Sequence, residues 1–184
     1  MTTNQDSLKA IIQGLKDGGC TFTSNYPGFN SHLIHFGLGG KDVSHNEKLA
    51  FNRSYGASLS GRRSVISMKS SGLNACADQF LHTYITGVNA GLVIILTEDL
   101  DMESSPESQD SRSYRDIFGG LWLEPASVSD GYVFAYNSFD WSEKTDQPIV
   151  IRLTNNYFRL RGKFQRKEMK KPIGKLVKDR NKFL

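Results

Sequence analysis

The stretch Gly91-Leu92-Val93-Ile94-Ile95-Leu96-Thr97 is the most apolar part of the sequence. A run of branched side chains closed by polar residues is typical of a strand that is buried on both faces. The run is far shorter than the roughly 20 residues that a membrane helix needs. We therefore predict that Leu92–Thr97 is a central strand of a sheet inside the protein.

Outward from this strand, predicted helices and strands alternate along the chain. Apolar spacing predicts helices over 7–16, 31–36, 46–59, 72–86 and 127–141, and strands over 20–23, 42–44, 64–68, 121–123 and 148–153. This order predicts an α/β fold: a doubly wound, mainly parallel sheet with helices on both faces. Ligands of such folds bind at the carboxyl ends of the strands.

The composition is that of one compact domain. With 184 residues, 38% of them hydrophobic, the chain is long enough to bury a core without disulfides. Two cysteines cannot form a disulfide framework, and residues 1–6 lack the basic and apolar regions of a signal peptide. We expect a cytoplasmic protein that does not enter a membrane.

Positive charge is concentrated at the carboxyl end. Of the 23 Lys and Arg residues, 11 lie between 159 and 184, where only Glu168 and Asp179 oppose them. We therefore divide the chain into an α/β domain at 1–158 and a basic tail or linker at 159–184. Because only Phe164 and Phe183 could stack on bases, we expect the tail to contact an acidic partner subunit instead of nucleic acid, the alternative being a solubilising end.

Three polar segments follow predicted strands: 25–31, 45–48 and 68–74. In a parallel sheet such segments converge on one edge, which is the usual position of a ligand site. No metal site is predicted in this chain, because His32 and His35 have no third ligand nearby in sequence.

These segments resemble the pyrimidine-binding domain of thiamine-diphosphate enzymes, in particular that of the indolepyruvate ferredoxin oxidoreductase large subunit. The resemblance covers nearly the whole chain. It rests on Tyr-Pro-Gly at 26–28, Asn-Glu-Lys at 46–48, Met-Lys-x-x-Gly-Leu-Asn at 68–74, Gly91-Leu-Val-Ile, Met102-x-Ser-Ser, Gln109-Asp-x-Arg, Leu123-Glu-Pro and Arg152-Leu-Thr.

The resemblance implies that Glu47 is the catalytic residue. Its carboxyl group would hydrogen-bond N1′ of the aminopyrimidine and favour the tautomer that deprotonates the thiazolium C2 carbon. Ser44-His45-Asn46-Glu47 also fits a helix capping box, in which Glu47 would only satisfy backbone N–H groups. His45 is a second catalytic candidate, as a proton donor, or else a solvated loop residue.

The resemblance also implies the residues around the ligands. Cofactor-binding candidates besides Glu47 are Tyr26, Pro27, Gly28, Ser71, Gly72, Leu73 and Asn74, and substrate-binding candidates are Ser70, Gln109 and Arg112. Capping of the next helix by Ser70 or Ser71 is the alternative for those serines. Arg112 could pair with a substrate carboxylate through its guanidinium fork, or be a solvated charge.

The implied function is that of one subunit of a heteromeric enzyme. The family's metal-binding Gly-Asp-Gly segment is absent from the sequence, so the resemblance implies that a partner holds the Mg²⁺ and the diphosphate. We expect an α2β2 assembly, without which the chain is inactive. Because two cysteines cannot ligate an iron–sulfur cluster, we favour decarboxylation of a 2-oxo acid, with or without carboligation. The alternatives are an indolepyruvate-type ferredoxin oxidoreductase and a non-catalytic binding module.

Overall fold

A computed structural model describes residues 6–171, which form a five-stranded parallel sheet with helices on both faces. The strands are β1 (Phe22–Asn25), β2 (Ser64–Lys69), β3 (Leu92–Glu98), β4 (Leu121–Leu123) and β5 (Ile149–Thr154), in the spatial order β1-β2-β3-β5-β4. The helices are α1 (Asp6–Asp17), α2 (Ser31–Gly37), α3 (Glu47–Leu59), α4 (Leu73–Thr86), α5 (Arg112–Phe118), α6 (Val128–Thr145) and α7 (Asn155–Arg159). The predicted doubly wound α/β fold is confirmed.

Strand β3 occupies the centre of the sheet, as its sequence predicts. All seven of its residues are buried, and it pairs with β2 on one side and β5 on the other. Val93 and Ile95 enter the core beneath α1 and α6, while Ile94 and Leu96 enter the core beneath α3 and α4. This alternation explains why the run is apolar at every position.

Three local predictions differ from the structure. Residues 42–44 form no strand: Ser44 donates one backbone hydrogen bond to the Asn25 carbonyl, at 2.8 Å, and the pairing goes no further. The polar region after β3 contains α5, which the sequence pattern does not predict because only Phe118 of this helix is buried. The sequence pattern also does not predict helix α7, which is a single turn capped by the Thr154 side chain.

Of the basic tail, Arg159 ends α7, and residues 160–171 lie on α1 and α6. Phe164 stacks on Tyr132 with ring centroids 4.9 Å apart, and Arg166 pairs with the buried carboxylate of Asp17 at 2.7 Å. Lys170 donates its backbone N–H to the Asp17 carbonyl at 2.7 Å. Part of the tail therefore uses its charge within its own chain, while residues 172–184 lie outside the described residues. The division at 158/159 stays a prediction.

Helices long and apolar enough to cross a membrane are absent from residues 6–171.

Candidate functional site

The turn after β1 is closed by polar side chains. The Asn25 amide donates to Ser31 Oγ at 3.0 Å, and Ser31 Oγ accepts the Gly28 N–H and donates to the Tyr26 carbonyl, both at 3.1 Å. A Cβ atom on Gly28 would lie 2.8 Å from Cβ of Lys69. Only glycine therefore allows this turn to lie so close to the end of β2. Tyr26 is half-buried and Pro27 is exposed.

Glu47 is the first residue of α3, and the predicted capping box is not formed. Asn46 is the N-cap, and its side chain accepts the Leu49 N–H at 2.8 Å. The Ser44 hydroxyl instead accepts a hydrogen bond from Arg53 at 3.2 Å. Since Asn46 caps the helix, the Glu47 side chain is free for another role, although its negative charge still suits the helix N-terminus.

The Glu47 side chain lies against Gly72 in the next strand-to-helix connection. A Cβ atom on Gly72 would be 2.6 Å from Glu47 Cγ and 3.0 Å from Oε1. Within residues 6–171 the half-buried Glu47 carboxylate has no hydrogen-bond partner. Beneath it, burial and then the Glu47 charge raise the pKa of the Cys76 thiol to about 12, so Cys76 is a neutral packing residue.

The connection from β2 to α4 contacts the long loop that follows β3. Ser70 Oγ donates to the Gln109 carbonyl at 3.0 Å, and the Asn74 amide donates to Gln109 Oε1 at 2.7 Å. The Tyr114 hydroxyl of α5 also donates to Asn74. Ser70 and Ser71 do not cap the helix with their side chains, so that alternative is excluded.

The loop at 99–111 is held to the sheet by a buried ion pair between Lys69 and Asp99. Lys69 Nζ lies 3.2 Å from Asp99 Oδ2 and also donates to the Glu107 carbonyl at 2.8 Å. Burial opposes the charge of Asp99, but hydrogen bonds from Ser104 and from the Glu103 N–H outweigh it and hold the pKa of Asp99 below its usual range. This loop is thus an ordered part of the candidate site.

A second buried charge cluster lies at the ends of β3 and β5. The Arg152 guanidinium, 4% exposed, contacts Glu98 Oε1 and Asp110 Oδ1, each at 3.1 Å, and also Glu124. Glu98 is fully buried, and its Oε2 has no partner in the described part of the chain. These contacts fix the loop residues that precede α5.

The structure brings together some of the predicted site residues and separates others. The residues that meet at the β2–α4 connection are Glu47, Ser70, Ser71, Gly72, Asn74 and Gln109. His45 is exposed, and Leu73 is fully buried in the core beneath α3 and α4. Arg112, 72% exposed, pairs with Asp110 and lines a separate cavity of about 320 Å³ beside Trp122.

Lys69, Asp99, Tyr114 and Arg152 contribute to this arrangement and were not predicted to do so. Arg152 interrupts an apolar strand with a charge, whereas Lys69 is the last residue of its strand. A charge in a strand expected to be buried requires a partner. This signal could have identified Arg152, but not Lys69, which lies just outside the strand predicted at 64–68.

The arrangement suits a polar aromatic ring with a nitrogen atom facing Glu47. A half-buried carboxylate without a protein partner can accept or share a proton with such a ring. Because Gly72 has no side chain, the Glu47 side chain can lie directly against its backbone. The residues present therefore fit the aminopyrimidine that the sequence resemblance implies.

Sequence comparisons find relatives of one kind. The chain is 33% identical over 162 residues to the indolepyruvate oxidoreductase subunit IorA of Pyrococcus abyssi, covering 84% of this chain and 25% of the relative. Its identity to subunit IorA of Methanothermobacter thermautotrophicus is also 33% over 162 residues, covering 84% of this chain and 26% of the relative. The chain thus spans about a quarter of the length of these curated relatives. No family model matches it.

A solved structure has the same fold. The 2-oxoglutarate:ferredoxin oxidoreductase from Magnetococcus marinus, determined with 2-oxoglutarate, coenzyme A and succinyl-CoA bound, superposes with a TM-score of 0.69 and 17% identity. The superposition covers 82% of this chain and 29% of that chain. The described domain therefore has the fold of the pyrimidine-binding domains of thiamine-diphosphate enzymes. Over 84% of its length, the chain is a relative of the indolepyruvate oxidoreductase subunit IorA.

Proposed function

We propose that the chain binds the aminopyrimidine ring of thiamine diphosphate at Glu47, within an assembly that oxidises a 2-oxo acid. The single observation that carries the proposal is the Glu47 carboxylate, which lies against Gly72 and has no protein hydrogen-bond partner in residues 6–171. When bound, thiamine diphosphate supplies a nucleophilic thiazolium carbon that attacks the 2-oxo group. Glu47 would share a proton with the ring nitrogen and keep the ring in its reactive form.

Oxidation is better supported than the non-oxidative decarboxylation favoured by the sequence analysis. Both named relatives are subunits of indolepyruvate oxidoreductase, and the solved structure of the same fold is a 2-oxo acid:ferredoxin oxidoreductase. Ferredoxin-linked oxidation requires iron–sulfur clusters, commonly ligated by four cysteines each. The sequence has only Cys20 and Cys76. The clusters would therefore lie elsewhere in the assembly.

A partner domain would bind the diphosphate end of the cofactor. The sequence contains no Gly-Asp-Gly segment, so a second domain would ligate Mg²⁺ through oxygen atoms and bind the diphosphate. This chain would contribute the pyrimidine side of the cleft. Partner identity, the α2β2 stoichiometry and the metal are parts of the proposal.

Two polar residues are well situated to bind the 2-oxo acid. Asn74, two residues after Gly72, donates a hydrogen bond to Gln109 at 2.7 Å. The Gln109 amide donates back to Asn74 Oδ1 at 3.4 Å, so each side-chain nitrogen keeps one further N–H that could donate to a substrate carboxylate or carbonyl. Arg112 pairs with Asp110, so its guanidinium could bind a substrate carboxylate only after leaving Asp110. The proposed role of His45 as a proton donor rests on the sequence alone.

Proton exchange at the thiazolium C2 carbon of thiamine diphosphate tests the role of Glu47. The full chain would be co-purified with its native partner and loaded with thiamine diphosphate and Mg²⁺, and the exchange followed in D₂O. We expect Glu47→Gln to slow the exchange by about 100-fold or more, and the exposed neighbour variant Lys48→Gln to leave it unchanged. Normal exchange with Glu47→Gln in an intact complex would contradict the proposal.

Electron transfer separates the two reaction types. The same complex would be supplied with indolepyruvate, pyruvate or 2-oxoglutarate, and with a one-electron acceptor dye. Reduction of the dye, dependent on thiamine diphosphate and lost in Glu47→Gln, is the expected result. Release of an aldehyde with no dye reduction would instead identify a decarboxylase.

A further inference from the structure

A positively charged cleft lies at the outer edge of β1 and belongs to no site described above. Its volume is about 310 Å³, at the lower end of the range for small-molecule sites. The residues at 20–23 form one side, the residues at 38–42 form another, and Arg53 and Arg62 complete it. We refer to this feature as the β1-edge cleft.

Helix α3 separates the β1-edge cleft from the candidate active site. Glu47 contacts Gly72, whereas Arg53 contacts Asp42 and Ser44. At about 100° per residue, positions 47 and 53 point some 120° apart around the helix. A ligand in the β1-edge cleft would therefore not compete with one at Glu47.

Cations outnumber carboxylates in the lining of the cleft. Lys41, Arg53 and Arg62 line it together with a single acidic residue, Asp42. Asp42 already pairs with Arg53 at 3.1 Å, and the exposed Lys41 ammonium has no partner in residues 6–171. The lining therefore has two positive charges in excess, which favours an anionic ligand.

Both arginines are oriented before any ligand arrives. Arg62 donates to the Thr21 carbonyl and lies over the Phe22 ring, 5.0 Å from its centroid. Arg53 is held by Asp42 and by Ser44. Each guanidinium keeps further N–H donors for an anion, and little side-chain entropy would be lost on binding.

The opposite wall is fixed by a buried histidine. His35 Nε2 donates to the Asp42 carbonyl at 2.8 Å, and its Nδ1 is hydrogen-bonded to the Thr23 hydroxyl at 3.1 Å. A Cβ atom on Gly40 would lie 2.2 Å from this ring. Only glycine lets the loop lie directly over His35, so the wall that bears Lys41 and Asp42 is firmly supported.

From these observations we propose that the β1-edge cleft binds a small polyanion bearing phosphate or carboxylate groups. The ligand would be bound by Lys41 and Arg62, with Arg53 as a third cation shared with Asp42. The proposal is independent of thiamine-diphosphate chemistry.

Calorimetric titration of the full chain tests the proposal. Inorganic diphosphate and citrate are the two probes, at constant ionic strength, and each is titrated again in excess sodium chloride. We expect saturable binding of one or both. Stronger binding of diphosphate indicates a phosphorylated ligand, and stronger binding of citrate indicates a polycarboxylate. Absence of saturable binding by both probes would overturn the proposal.

Variants that each lack a positive charge test whether the anion binds in the β1-edge cleft. Lys41→Ala should weaken the affinity about threefold to tenfold, and Lys41→Ala with Arg62→Gln about 30-fold or more. Lys144→Ala, which removes an exposed charge from the last turn of α6, should have no effect. Thermal melting checks that each variant is folded. If Lys41→Ala binds as the wild type does, the cleft is not the site and the proposal fails.

Discussion

The Glu47 side chain and the Gly72 backbone are in contact across the gap between α3 and α4, where a Cβ atom on Gly72 would lie 2.6 Å from Glu47 Cγ. Gly72 has ordinary helical dihedral angles, φ −62° and ψ −20°, so alanine fits its backbone. We expect Gly72→Ala to fold normally but to push the Glu47 carboxylate aside, because that side chain is the flexible partner. C2 proton exchange should fall while the melting temperature changes little; unchanged exchange would contradict this prediction.

Gly56 in α3 provides the matching glycine control. It is exposed in the helix, and a Cβ atom there would have no neighbour within 4 Å. Because glycine costs up to about 1 kcal/mol relative to alanine inside a helix, Gly56→Ala should raise the free energy of unfolding by about 0.5–1 kcal/mol. Urea denaturation measures this, and C2 exchange should be unaffected. A loss of stability would show that the helix surface at this position is not free.

Stability should depend on pH through His35. Burial and the nearby Arg53 charge lower the pKa of His35 below its usual 6.5, despite an opposing hydrogen bond to Asp42. The unfolded chain therefore takes up the proton at higher pH than the folded chain, and this contribution to stability is lost as the pH falls below about 6.5. Denaturation between pH 7.5 and 5 should show a smaller decline for His35→Gln than for His32→Gln. Equal declines would exclude His35 as the source.

The Tyr132 hydroxyl joins the tail to α1. It donates to Asp17 Oδ2 at 2.9 Å and accepts the Lys167 N–H at 2.7 Å. Tyr132→Phe should reduce the free energy of unfolding by about 1–3 kcal/mol and increase proteolysis between 160 and 171. Tyr136→Phe, which loses only an exposed bond to the Glu168 carbonyl, should change little. Equal effects of the two variants would mean that the tail is not fixed through Asp17.

Removing the Arg152 side chain should lower the free energy of unfolding strongly. Its guanidinium is 4% exposed and contacts Glu98, which is fully buried. Arg152→Ala would leave that carboxylate without its cation and should cost about 3–5 kcal/mol of unfolding free energy. Arg112→Ala, on an exposed side chain, should leave stability unchanged. A mild effect of Arg152→Ala in urea denaturation would contradict this prediction.

The sequence was most informative where one pattern repeats over many residues. The apolar run at Leu92–Thr97 correctly predicts β3 and its central position. Residues 42–44 have the sequence pattern of a strand but do not form one. The Asp42 carbonyl instead accepts a hydrogen bond from His35, and the Ser44 N–H donates to the Asn25 carbonyl. Short segments depend on such long-range partners, which no local pattern reveals.

The candidate site was predictable in part for the same reason. Parallel topology predicts that the turn at 26–28, the start of α3 and the β2–α4 connection converge, and the Glu47–Gly72 contact agrees. The Lys69–Asp99 pair joins residues 30 positions apart, and only the folded chain shows it. Whether Asn46 or Ser44 caps α3 likewise depends on the turn geometry.

The attachment of the 99–111 loop has a consequence for protein engineering. The Asp99 carboxylate pairs with Lys69 Nζ of β2 at 3.2 Å and accepts a hydrogen bond from the Asn155 amide at 3.3 Å. Asp99 therefore anchors the loop to two other segments. Transplanting this loop into another scaffold of the same architecture would fail unless the lysine and the asparagine travelled with it. The exchangeable unit is thus the loop together with the distant residues that hold it, which include Arg152 at Asp110.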